Sequence, residues 1–421
     1  RALKLSAFVL AVVFLFPILF SSFDEPEDTQ SNEKTLEIKQ SLISGYSNGT
    51  LSWKVHADYI WTTKSKYLFQ ADKLLSGFIF DSNGQLVIDG IRAQDLRINT
   101  RSKSVAVYKS VEASLVQRAT NKSNELHASS DDKRIKIKSD QLRYSSDAKK
   151  TQLSENVELT KDAFSIRPRK GVEIDNDKNV AYIDYGFTIA SDQYNVTGNQ
   201  LTIYIDDDYS EMEGDLVFER KAVVDTTADE REQELKRKPS FLYADSAIYK
   251  EVEGLHYLEV SDNVTLIQEG KEIKGDFGVY SQEADRFELQ GNIEIQLDNL
   301  DWMIKKESAD ELKNEDIKSS LNAKTTIYCK RLIFDGNSNE TKLIGDVVII
   351  QEQQVIHCDK VVFVDNSSEI ECHGNVKVER NEKDTLSCAL LVINIEKEQF
   401  LAKDKVYSEF IIKKRGENNA D

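Results

Sequence analysis

Four cysteines stand in the last third of the chain, Cys329, Cys358, Cys372 and Cys388, and two of them neighbour histidines, as His357-Cys358 and Cys372-His373. Thiolate and imidazole are the ligands of structural zinc. Adjacent strand residues point to opposite faces, however, so neither pair easily chelates one ion, and no C-x-x-C loop accompanies them. No metal is expected. Cys329, Cys358 and Cys388 are spaced by 29 and 30 residues, and the matching positions upstream hold Ala93, Ser139, Gly198, Ala244 and Gly275. This reads as a tight site that takes a small residue, which a reduced thiol fills well. A disulfide between neighbouring copies is the alternative, open to a chain in an oxidising compartment if the geometry allows it.

Gly45-Tyr46-Ser47-Asn48-Gly49 matches the G-x-S-x-G nucleophile elbow, which needs a strand before it and a helix after it. Here Leu51 to Val55 alternates like a strand, so a hairpin turn is expected instead. The five histidines, His56, His127, His256, His357 and His373, have no triad setting, and neither a P-loop nor a dinucleotide fingerprint is present. The chain is expected to be no enzyme and to carry no cofactor.

The elements that position these residues form a repeat. A small or polar step recurs at Asn156, Gly186, Asp215, Asn263, Asn292, Asp346, Asn375 and Lys405, at intervals of 29 or 30 residues except for two of 48 and 54. The longer intervals hold charged insertions, Asp225 to Pro239 and Asn299 to Ser320, which have some helical character. Around each step apolar residues keep even spacing: Leu289, Ile293 and Ile295; Leu343, Val347 and Ile349; Met212, Leu216 and Phe218; Cys372, Val376 and Val378. Leu153, Val157 and Leu159, Ile183, Phe187 and Ile189, and Val260, Val264 and Leu266 follow the same rule. Even spacing puts each set on one face of a strand. A preceding strand contributes its own pair, such as Leu332 and Phe334 or Val361 and Phe363. A two-strand unit with one apolar face cannot bury it alone, so units must stack over a shared interior. The expected fold is all-β, an elongated structure of two facing sheets built from repeats of about 29 residues.

Only 4 of the 421 residues are proline, and with 30% charged and 40% apolar residues the chain is neither disordered nor an integral membrane bundle. The net charge of −18, with no long basic stripe, opposes a nucleic-acid partner. Leu5 to Phe23 is a nearly uncharged apolar run, preceded by Arg1 and Lys4 and followed by Asp24, Glu25, Glu27 and Asp28. It is expected to span a membrane once, with its N-terminus cytoplasmic and the bulk of the chain outside. A cleaved signal peptide is the competing reading, against which stand the length of the run and the lack of an A-x-A-like site. The organisation expected is an anchor over 1–23, a polar linker over 24–40, a first β-module over 41–118, a polar break over 119–132, a repeat array over 133–412 with insertions at 225–239 and 299–320, and a polar tail over 413–421.

Within the first module, "SGYSNGTLSWKVHADYI", "ADKLL" and "IRAQDLRIN" resemble the LptC family, membrane-anchored periplasmic components of the lipopolysaccharide exporter. The later units are similar to the OstA/LptA family of periplasmic bridge proteins, in starts such as Cys358-Asp359-Lys360-Val361 and endings such as Gly374-Asn375-Val376. The resemblance implies a β-jellyroll, or β-taco, with an apolar groove. The apolar sets named above, Cys372 aside, would line that groove. It also implies lipopolysaccharide or a related glycolipid as cargo. The implied partners are β-domains of an inner-membrane ABC exporter at one strand edge and a further bridge element or an outer-membrane receptor at the other. The physical need is plain, since each acyl CH₂ exposed to water costs about 0.8 kcal/mol. A structural surface stalk or adhesin with a closed core is the alternative. Gly, Ser and Ala at the repeated small position are expected to leave room for the groove.

Overall fold

The computed structural model describes residues 34–62, 66–118, 134–222, 237–252, 254–300, 319, 321–338, 340–364, 369–380, 384–395 and 397–409. The expected anchor at Leu5–Phe23, the break at 119–132, most of both insertions and the tail lie outside them. Among the described residues no helix is long and apolar enough to cross a membrane.

These residues form 28 strands hydrogen-bonded into one antiparallel sheet. The first strand, Leu36–Ser47, starts inside the stretch expected as linker, because Leu36 and Ile38 alternate with Glu37 and Lys39 and pair with Thr62 and Ile60. Gly45 to Gly49 form part of a tight hairpin: Ser47 pairs with Thr50, and Asn48 and Gly49 take positive φ, as a two-residue primed turn requires. The strands Ser104–Leu115 and Ile135–Ser145, on either side of 119–133, pair along both their halves. From Tyr209 onward long strands follow one another as a meander, broken in sequence only by the insertions.

Alternate long strands of the array are bulged at the repeated step, and the strands between them lose register opposite it. In Glu369–Arg380 the pairing with Asp384–Asn394 jumps from His373↔Leu390 to Val376↔Cys388, so Gly374 and Asn375 oppose Ala389 alone. The same two-against-one shift occurs at Gly345-Asp346 and Gly291-Asn292. Such a bulge bends a strand and sharpens its twist. Asp215, Asn263, Asp346 and Asn375 all have φ between 45° and 55°, and Gly214, Gly291, Gly345 and Gly374 are positive as well. Gly, Asn and Asp are the residues that tolerate this region. Stacked bulges make a fold line along the whole sheet. Because successive strands run antiparallel, the first halves of the bulged strands and the second halves of the strands between them form one wall, the remaining halves form the second, and the main core cluster draws on both.

Candidate functional site

The interior is organised in ladders parallel to the fold line. At the crease each large residue faces a small one across the pair: Leu216 with Ala244, Val264 with Gly275, Ile293 with Cys329, Val347 with Cys358, and Val376 with Cys388. The expectation that the small position leaves room is corrected here. A Cβ on Gly275 would lie 2.7 Å from Leu289, and one on Gly198 would lie 2.5 Å from Leu216. Small residues are needed because large neighbours already fill the crease.

The four thiols are free and buried in this crowded region. Cys358 and Cys372 share a hydrogen bond that, with burial, holds the Cys372 thiol far above its usual value, and burial pushes Cys329 up to about 11. The same hydrogen bond lowers the Cys358 thiol, whereas burial raises Cys388; protonated buried thiols are poor nucleophiles, so Cys329, Cys372 and Cys388 act here as small apolar packing groups. His373 turns outward, with Nε2 2.8 Å from Glu371. No group of three or more His, Cys, Asp or Glu that could hold a metal ion occurs among the described residues.

On the first wall a ladder next to the crease runs Leu201, Met212, Ala247, Val260, Gly278, Leu289, Leu332, Leu343, Val361, Cys372 and Leu391, each paired with the next. On the second wall another runs without a polar break from Ile137 through Leu159, Ile166, Ile189, Val196, Phe218, Leu242, Leu266, Ile273, Ile295, Ile327, Ile349, Ile356 and Val378 to Leu386. At about 4.8 Å per strand, the stretch from Phe218 to Leu386 spans roughly 40 Å.

The residues expected to line a groove all sit on these inward faces, at two depths. Leu153, Val157, Leu159, Ile183, Phe187, Met212, Leu216, Val260, Val264, Leu289, Ile293, Ile295, Leu343, Val347 and Val376 are fully buried. Ile189, Phe218, Ile349 and Val378 are half-buried against the same cluster, and Leu266 is half-buried beside them in its ladder. Sequence spacing around the step missed the partners on the preceding strands: Leu242, Ile273, Ile327, Ile356 and Leu386. A signal was available, since each stands two residues before the small position.

The opening opposite the crease differs along the molecule. In Ser104–Leu115 and Ile135–Ser145 the inward positions are buried at both ends. There the far ends of the two walls are tied together. Lys149 Nζ donates to Ser52 Oγ at 3.0 Å, Ser82 Oγ to Asp177 at 2.7 Å, and Asn179 Nδ2 to the Val116 carbonyl at 3.1 Å. Arg118 donates to Asp206 at 2.8 Å and to the fully buried Asp81 at 2.9 Å. Lys161 Nζ donates to Asp208 at 2.8 Å and Glu251 at 3.1 Å. Burial works against the Arg118 and Lys161 cations, but their carboxylate partners outweigh it and hold both above their usual values. In Glu340–Gln351 and Glu369–Arg380, by contrast, the buried positions are the two flanking the crease, and the outer inward residues are half-buried.

No protein-family model matches the chain, and no curated protein matches it. Among solved structures it is similar to LptH from Pseudomonas aeruginosa, the LptA-homologous periplasmic component of the lipopolysaccharide transport device. That likeness has 14% identity and a TM-score of 0.24, and covers 32% of this chain and 83% of that one.

Proposed function

We propose that the folded sheet is a trough of the β-taco kind that shields acyl chains of lipopolysaccharide or a related glycolipid from water, without catalysing a reaction. The observation that carries this reading is the second-wall ladder. One aliphatic or aromatic residue per strand, half-buried at most strands from Phe218 to Leu386, gives a hydrocarbon chain a continuous surface with no polar group to displace. Each methylene buried between the walls gains about 0.8 kcal/mol, so a long acyl chain accumulates enough to offset the cost of its immobilisation. The anionic exterior suits a division in which phosphate-bearing headgroups stay in solvent.

In this proposal Leu5–Phe23 anchors the chain in the inner membrane, and the sheet stands in the periplasm as a bridge. The strand Leu36–Ser47 offers its outer edge to a β-domain of the exporter, and the C-terminal strands offer theirs to the next bridge element or the outer-membrane receptor. Exposed Leu36, Ile38, Leu42 and Tyr46 at one end, and Phe400, Leu401 and Tyr407 at the other, suit edge pairing. Depletion of the chain in cells tests the function. Newly made lipopolysaccharide should accumulate at the inner membrane, and undiminished arrival at the outer membrane would refute the proposal.

A further inference from the structure

Among the described residues the two walls are fastened together in two places. The first is the polar seam that ends at Lys161 with Asp208 and Glu251. The second lies at the neck of the later insertion, where Leu300 N donates to the Leu321 carbonyl at 2.7 Å. Leu321 is buried with Phe363 and Ile395, and Leu300, Ile370 and Ile393 pack on the group. Leu300 and Leu321 follow and precede second-wall strands, whereas Phe363, Ile370 and Ile393 are at the rim of the first wall, so this contact crosses the opening.

Between the fastenings the rim of the first wall carries Tyr249, Leu258, Tyr280, Phe287 and Phe334, each paired with the next and so on one face. Tyr280 is 37% and Phe334 41% exposed, large values for aromatic rings on the inward face. Burial raises the pKa of both Tyr249 and Tyr280, and the Tyr249 hydroxyl meets His256 Nδ1 at 2.6 Å.

We infer that acyl chains enter the trough sideways through this one stretch, crossing Tyr280, Phe287 and Phe334, and that the latched first section is closed to them. The inference rests on the reading of the sheet as a lipid trough and adds where that trough can be loaded. The chemistry behind the rim selects the occupant. The facing ladders, Leu289 and Leu332 on one wall and Leu266, Ile273 and Ile295 on the other, offer no side-chain hydrogen-bonding group. A peptide entering there would strand its N–H and C=O groups at a cost of roughly 1–3 kcal/mol each, whereas a hydrocarbon chain has none to strand.

The test places a diazirine side chain of leucine size at Leu258, Phe287 or Phe334, and at Leu142 or Leu159 in the latched section, in the full chain, with thermal melts to confirm folding. Each protein is incubated with purified lipopolysaccharide, irradiated, and scored for lipid adduct. Adducts at Leu258, Phe287 and Phe334 should exceed those at Leu142 and Leu159 by about tenfold, the ratio expected when only one section admits methylenes. A Lys161→Ala, Arg118→Ala double variant should raise the Leu159 yield toward that of Phe287. Equal yields in both sections would overturn the entry route while leaving the trough intact. Adducts at no position would overturn the trough itself. Capture of the chain's own 223–236 or 301–318 at Phe287, in place of lipid, would show that the rim is covered by the chain and not open to cargo.

Discussion

Asn375 donates a hydrogen bond from Nδ2 to Oδ2 of Asp359, 2.9 Å away and 16 residues earlier in the chain. The pair sits at the bulge of one strand and the matching bend of the strand before it, and it recurs as Asn292 with Asp276 at 3.1 Å, Asn263 with Asp245 at 2.6 Å and Asn156 with Asp140 at 2.5 Å. Asn199 and Asp215 make it in the opposite sense at 3.0 Å. Lys330 and Asp346 substitute an ion pair. Each bridges the outside of the fold line, so the line is held by side chains as well as by backbone conformation.

Gly374→Ala tests that line. Its φ is +73° and a Cβ would lie 2.3 Å from Asp359 Oδ2. Left-handed strain of about 1 kcal/mol adds to an overlap of about 1–3 kcal/mol, so urea unfolding should show a loss of roughly 2–4 kcal/mol. In an Asp359→Ala background the same substitution should cost less, because the overlapping carboxylate is gone. Equal losses in both backgrounds would mean that the close approach does not matter.

Val376 and Lys377 are consecutive, one buried and one exposed. Val376→Asp buries an unpaired carboxylate at the crease and should abolish the cooperative melt or cost upwards of about 3 kcal/mol. Lys377→Asp should stay within about 1 kcal/mol of wild type. Comparable melts for the two variants would contradict the face assignment.

Alkali should weaken the first-wall rim and the seam together. Burial pushes the Tyr249 hydroxyl from 10.0 up to about 12, and the carboxylates of Asp208 and Glu251 outweigh burial to hold Lys161 above 10.5. For both groups the folded state keeps a proton that the unfolded chain releases. Their contribution is therefore complete below pH 10 and is lost as pH rises through the folded values. Unfolding midpoints of wild type, Tyr249→Phe and Lys161→Met, compared from pH 9 to 12, should fall most steeply for wild type. Parallel curves would show that neither group is perturbed by folding.

The edge strand offers a separate check. Leu42→Lys with Tyr46→Lys places charge on exposed positions of Leu36–Ser47, so stability should change by no more than about 0.5 kcal/mol while edge pairing is blocked. Crosslinking of this strand to the exporter in cells should drop. Deleting Val406–Asp421 should likewise leave a folded protein that no longer supports delivery. Wild-type crosslinking or delivery in these variants would remove the corresponding edge from the account.

The period, the all-β class and the inward faces were legible in the sequence because apolar alternation is a local pattern. Leu289, Ile293 and Ile295 declare their common side within seven residues. What the step at Asn292 does was not legible: backbone φ leaves no hydrophobic trace, and a bulge and a mid-strand polar residue look alike. The crowding at the small position was equally illegible, because the side chain of Leu289 that fills the space at Gly275 comes from the neighbouring strand. The seam was beyond reach, because Arg118 and Asp206 meet across 88 residues and each alone reads as a solvated charge. At Leu36 the acidic surroundings masked a strand that pairing with Thr62 secures.

The central claim is that lipid lies between the walls, and Ile349 and Ile350 test it within one strand. Ile349 points inward, half-buried against the core cluster, while Ile350 points outward and is 38% exposed. The two side chains are equally apolar, so nonspecific lipid adhesion treats them alike. With a photoreactive side chain at each position in living cells, the account predicts lipopolysaccharide adducts from 349 and only background from 350. Equal adducts from both, or adducts from 350 alone, would contradict it.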